Sequence, residues 1–224
     1  MTYATLLMGM QRAKPSFAML ETSEHRCTIR GTAAASLFAF VRQEFGEASL
    51  DRVISTLDPG HKGALLMDLL LTEEPDERVL LPVRLVVDVL ARAGELYFAD
   101  SGGPEELAER VGAFAAGEHQ PLMRRLGVDV LRPEQVVRCA PRLWRSYSSC
   151  GSLNPTEVGL QTFLLTLEGF HDVHPLWCRC LTGYFREVVR RASGRQARVV
   201  EVQCAAEGAP LCEWHGDWNA ASLY

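Results

Sequence analysis

Three cysteines in the last quarter of the chain, Cys178, Cys204 and Cys212, are separated by 25 and then 7 residues, and each falls in a different kind of segment. Cys178 lies near the start of an amphipathic stretch from His174 to Arg191. Cys204 closes an apolar run that begins at Ala197, and Cys212 opens the next short run after the turn Glu207-Gly208-Ala209-Pro210. Thiols brought together from a helix and a hairpin are a donor set for tetrahedral Zn²⁺, which takes thiolate, imidazole or carboxylate ligands. The gaps are not the short Cys-x-x-Cys knuckles of zinc modules, so spacing alone leaves buried free thiols as the alternative. Cys180 sits about 200° around a helix axis from Cys178 and reads as a core residue.

The elements that must position these residues follow from periodicity. Ala33, Leu37, Phe40, Val41 and Phe45 recur at helical spacing and Gly46 stops the run, which predicts a helix over 32–45. Further helices are expected over 50–57, 61–71, 82–94, 105–116 and 133–147, with an acidic, proline-containing break at 73–77. Two short apolar segments around the turn 22–25 suggest a hairpin between Phe17 and Arg30. After Gly151 the character changes. Residues 152–154 and 158–170 alternate and are rich in β-formers, and a long helix and two more strands follow. Helices first and strands last, with one long helix over an antiparallel sheet, define an α+β class. The chain divides into a lead-in (1–30), a helical portion (31–150) and a C-terminal module (151–224), expected to form one compact domain.

Composition narrows the function classes. Hydrophobic residues make up 47% and charged residues 23% of the 224 positions, ordinary for a soluble globule. Net charge is −5, and the basic residues are scattered apart from Arg124-Arg125 and Arg190-Arg191, which disfavours nucleic acid as a partner. The N-terminus has no signal-peptide pattern, and the most apolar run, 63–71, falls far short of the ~20 residues of a membrane span. Seven cysteines, an odd number, together with these features point to a reducing cytoplasm and against a disulfide framework.

The stretch His174-Pro175, Cys178, Gly183-Tyr184, Gly194-Arg195, Val200-Glu201, Cys204, Gly208, Cys212 and Trp214 resembles the four-vinyl-reductase domain, in order, over about forty residues. That domain is named from bacteriochlorophyll biosynthesis and also forms the sensory part of phenol- and xylene-responsive activators. Its wider superfamily contains the haem nitric-oxide-binding domains and the TRAPP subunits of vesicle tethering. Residues 31–57 and the middle helices also resemble uncharacterised proteins expanded in myxobacteria that end in the same module. The resemblance implies a haem-NO-binding/TRAPP-like fold and a structural Zn²⁺ cofactor held by Cys178, Cys204, Cys212 and an acid shortly before the second cysteine, here Glu201. In a regular strand Glu201 and Cys204 would face opposite ways, so joint ligation needs a bulge or an early strand end; His174, on the helical face of Cys178, is the substitute ligand.

No phosphate-binding glycine loop, His-Glu-x-x-His helix or nucleophile elbow is present, so no enzyme activity is expected. Ser146, His119 and Asp88 have no recognisable partners. The expected role is a sensory domain that binds a small hydrophobic molecule and signals through a protein partner, with Trp144, Tyr147, Phe163, Trp177 and Tyr184 lining the pocket. The alternative is a TRAPP-like scaffold with a filled interior; in either case a homodimer is expected. A haem-based gas sensor ranks below both, because Tyr147-Ser148-Ser149 lacks the Tyr-x-Ser-x-Arg element and His119 reads as a surface or loop residue beside Pro121.

Overall fold

The computed structural model describes residues 27–65, 79–119, 131–159 and 161–218. The chain order is β1 (Thr28–Arg30), α1 (Gly31–Phe45), α2 (Glu47–Thr56), α3 (Pro59–Leu65), β2 (Leu80–Pro82), α4 (Val83–Tyr97), α5 (Gly103–Glu118), α6 (Pro133–Arg138) and α7 (Ala140–Tyr147). Strands β3 (Ser152–Val158) and β4 (Thr162–Glu168), helix α8 (Pro175–Ser193) and strands β5 (Arg198–Gln203) and β6 (Cys212–Asp217) complete it. The fold is α+β. An antiparallel sheet ordered β3-β4-β6-β5 carries α8 on one face, and the helical portion packs against α8.

Alternation on the central strands decides which face is covered. Phe163, Leu165 and Leu167 of β4 are buried and pair across to Gly216, Trp214 and Cys212 of β6. Trp214 has no exposed surface, and its indole N–H donates to Thr182 Oγ1 at 2.9 Å, while that hydroxyl donates to the Cys178 carbonyl, also at 2.9 Å. This chain of bonds fixes the height of α8 over the sheet. Helix α8 starts at the extended residue His174, followed by Pro175 at the first turn where a missing N–H costs nothing. It stops at Gly194, in the left-handed conformation that glycine adopts without strain.

The helical layer meets α8 through two glycines. A Cβ at Gly112 of α5 would overlap the Cys180 carbonyl, and a Cβ at Gly183 of α8 would overlap the Glu109 carbonyl. Without side chains there, the backbones of α5 and α8 come into direct contact, and the Arg186–Glu109 ion pair closes the same seam.

Several sequence expectations change. Thr28–Arg30 is not one arm of a local hairpin; it pairs antiparallel with Leu80–Pro82, with Ile29 opposite Leu81. Both of those side chains are fully buried, so core burial rather than a local turn decides the partner. The remainder of that hairpin, the acidic break and the end of the third helix lie outside the described residues. The helix expected over 133–147 is two helices meeting at Cys139. Cys27 and Cys150 form a disulfide with a Cα–Cα distance of 5.4 Å, where the odd number of cysteines argued against a disulfide framework. The bond spans 123 residues and ties β1 to the turn before β3; a loop that long restricts the unfolded chain by about 5 kcal/mol in the entropy model. Among the described residues no helix is long and apolar enough to cross a membrane.

Because the α5–α8 seam has no room for a methyl group on either side, Gly112→Ala and Gly183→Ala should each lower unfolding free energy by about 3 kcal/mol. Gly194→Ala, with nothing within 4 Å of its added Cβ, should cost only about 1 kcal/mol of backbone strain. Urea denaturation of the three variants measures this ranking.

Candidate thiol cluster and ligand cavity

Cys178 Sγ lies 3.7 Å from Cys212 Sγ and 3.8 Å from Cys204 Sγ. One carboxylate oxygen of Glu201 joins them, so that four potential ligand atoms fall within 4.8 Å of one another. The obstacle raised by strand alternation is removed in both ways that geometry allows. The β5–β6 register shifts between Glu201 and Gln203, and β5 ends at Gln203, before Cys204. Glu201 Oε1 is buried without a hydrogen-bond partner.

The electrostatics are those of a crowded anion site. Hydrogen bonding to Cys212 and burial push the Cys178 thiol up, and burial raises Cys204 and Glu201. Cys212 moves down because the Cys178 S–H donates to it, assisted by the Ala205 N–H at 3.3 Å. His174, the substitute ligand, is not part of the group. It caps α8, its Nδ1 accepting the Leu176 N–H at 3.2 Å, and it is exposed. Cys180 faces away from the other thiols, as its helical phase requires, and lines a cavity.

That cavity, of about 100 Å³, lies between α8, the inner face of the sheet and helices α1 and α4–α7. Trp144, Tyr147, Phe163, Trp177 and Tyr184 all line it. His119 lines it too, contrary to the surface position expected for it. It is 7% exposed at the end of α5, and its ring stands 5.5 Å from Tyr147 and 5.7 Å from Tyr184. Among the described residues neither ring nitrogen has a hydrogen-bond partner, nor does Trp177 Nε1. Burial lowers the His119 pKa to about 4, so at neutral pH the imidazole is uncharged. The missed signal was phase: Val111, Ala115 and His119 recur every four residues, and the first two also line the cavity.

The other singled-out residues have local partners. Asp88 meets His61 Nδ1 at 2.6 Å, and Ser146 Oγ donates to the Leu143 carbonyl. Asp58, His61 and Asp88 form a second, more exposed group on α3 and α4.

No family model and no curated protein matches the chain. Solved structures do. An H-NOX protein from K. algicida in the unliganded Fe(II) state is similar with a TM-score of 0.63 at 9% identity, over 87% of this chain and 98% of that one. An H-NOX protein from S. oneidensis in the Fe(II)NO state gives 0.61 at 11%, over 84% and 98%. An oxygen-binding H-NOX domain related to soluble guanylate cyclases gives 0.54 at 13%, over 87% and 97%. The chain has an H-NOX-like fold, and at these identities the likeness is one of fold.

These neighbours correct the expectation of structural Zn²⁺ as the cofactor, because the metal named with two of them is ferrous iron. Haem, in turn, does not fit the described residues. His119 offers a buried neutral imidazole, but a cavity of about 100 Å³ is below the ~300 Å³ at which pockets for drug-sized ligands begin. No Arg or Lys among the described lining residues is available to neutralise two propionates.

The His119 environment makes stability pH-dependent. Above pH 6.5 the imidazole is neutral both folded and unfolded; below it, the unfolded chain takes up a proton that the native state refuses until about pH 4. Stability should therefore fall by about 3 kcal/mol across that window on account of this one group. Urea titrations at successive pH values should show that component absent from His119→Gln.

Proposed function

We propose that this chain is a small-molecule sensing domain of the four-vinyl-reductase type, which holds an apolar ligand directly in the cavity under α8 and signals through a protein partner. One observation carries the reading: an apolar cavity lined by a buried neutral histidine, both of whose ring nitrogens lack a hydrogen-bond partner among the described residues. A buried polar group without a partner costs about 1–3 kcal/mol, a cost a ligand's polar group would offset. The scaffold alternative needs a filled interior and gives no role to His119. An engineered apolar cavity of about 150 Å³ binds benzene or xenon, so this one suits ligands between a diatomic gas and one aromatic ring. His119 would meet one polar substituent, and Trp177 Nε1, if it has access, would donate to an acceptor.

The thiol cluster has a separate part in the same reading. Cys178, Cys204 and Cys212 bring together three soft donors, with the Glu201 carboxylate beside them, a set suited to a thiophilic metal ion. Bound there, the ion would clasp the first turn of α8 to the β5–β6 hairpin and hold the cavity's roof in place. A closed set of four protein ligands leaves no position for a reacting water, which agrees with a non-enzymatic role.

Toluene, phenol and related single-ring compounds should raise the melting temperature, a ligand at a hundred times its Kd adding about 2.7 kcal/mol. Ala115→Phe, which fills the cavity, should abolish the shift. No shift from any compound, or a stoichiometric Soret-absorbing haem after expression with haem supplied, would overturn direct binding. Elemental analysis of protein purified without chelator should find one thiophilic metal ion per chain, lost in Cys204→Ser together with about 3 kcal/mol or more of stability. Metal-free protein with unchanged stability in that variant would refute the clasp.

A further inference from the structure

Helices α6 and α7 have two unlike faces. Pro133, Val136, Val137, Ala140 and Trp144 are buried toward the core, whereas Arg132, Arg138, Arg142 and Arg145 are exposed. Cys139, between the helices, keeps a helical backbone (φ −82°, ψ −8°), so the two segments continue with little change of phase. Exposed positions recur at intervals of three and four through the break. The result is a row of arginines on a helical surface roughly 20 Å long.

Most other described arginines are paired, although Arg52 and Arg198, like these, form no ion pair among the described residues. Arg42, Arg84, Arg92, Arg110, Arg186, Arg190 and Arg191 each form an ion pair with a carboxylate. Arg138, Arg142 and Arg145 form none among the described residues, although acids outnumber bases by five over the whole sequence. Within 132–145 four arginines stand against one acid, Glu134. Like charges three and four residues apart on a helix repel one another and lower its stability. A surface that accumulates unneutralised cations in an otherwise acidic protein is complementary to an acidic partner.

We propose that the outer face of α6–α7 is a docking surface for an acidic segment of a partner protein. Nucleic acid is the weaker candidate, because so few cations would release few counterions and the remaining surface is net negative. A membrane surface is weaker still: an interfacial helix buries its apolar face in lipid, and here that face is already committed to the core. The inference stands on charge and exposure and does not depend on what fills the cavity. It does give the cavity a route outward, since Val136, Ala140 and Trp144 line the cavity from the same two helices.

The test uses the full chain and a short fluorescent glutamate-rich peptide, read by anisotropy. Binding should weaken as salt is raised, and Arg138→Gln/Arg142→Gln/Arg145→Gln should reduce affinity about tenfold. The corresponding triple lysine variant should retain most of it, and the glutamine variant should melt no lower than wild type, because it removes repulsion and no contact. Equal binding by wild type and the glutamine variant would overturn the proposal. So would tighter binding of duplex DNA or phosphatidylserine vesicles than of the peptide at the same salt.

Discussion

The close approach of α5 and α8 at Gly112 and Gly183 is the constraint on which the other features depend. Backbone contact at that crossing sets the depth at which α8 lies over the sheet and carries the end of α5, with His119, into the interior. The first turn of α8 brings Cys178 to the β5–β6 hairpin, and its middle turns present Cys180, Leu181 and Tyr184 to the cavity. A methyl group on either glycine would displace both ends of this arrangement, because close-packed helices transmit a shift rather than absorb it.

Helix α8 therefore serves two sites at once. One end is held to the sheet by the Trp214–Thr182–Cys178 hydrogen bonds and by the thiol group; the next turns form the roof of a cavity whose far wall is α6 and α7. The thiol group and the cavity thus share α8, and the cavity and the arginine face share α6 and α7. The energetic oddities fall in the same region. Three of the four side chains with a buried polar atom that lacks a hydrogen-bond partner among the described residues, His119, Trp177 and Glu201, are at the cavity or the thiol group. Folding leaves such groups unsatisfied at sites that have another use for them.

The likeness to H-NOX proteins is one of fold. The backbone course is common, but the described cavity is small, lined by apolar side chains and without a cation for an acidic cofactor. Fold is a weak guide to ligand for this reason.

Periodicity alone located the helices around α1, α4, α5 and α8 and the strands β4 to β6, because each buries one face and the repeat of that face is written in the apolar residues. The cysteine triplet stood out by its spacing and by the motif around it, and periodicity had no part in it. What the sequence could not determine depended on partners distant along the chain. Thr28–Arg30 pairs with 80–82 rather than with its neighbours, and Cys27 meets Cys150 across 123 residues. Glu201 reaches the thiols only through a bulge, His174 is taken by the α8 cap, and His119 is buried because α5 crosses α8 so closely. Local periodicity specifies which face of an element is apolar. Only packing decides what that face meets, and so which polar groups are left buried without a partner.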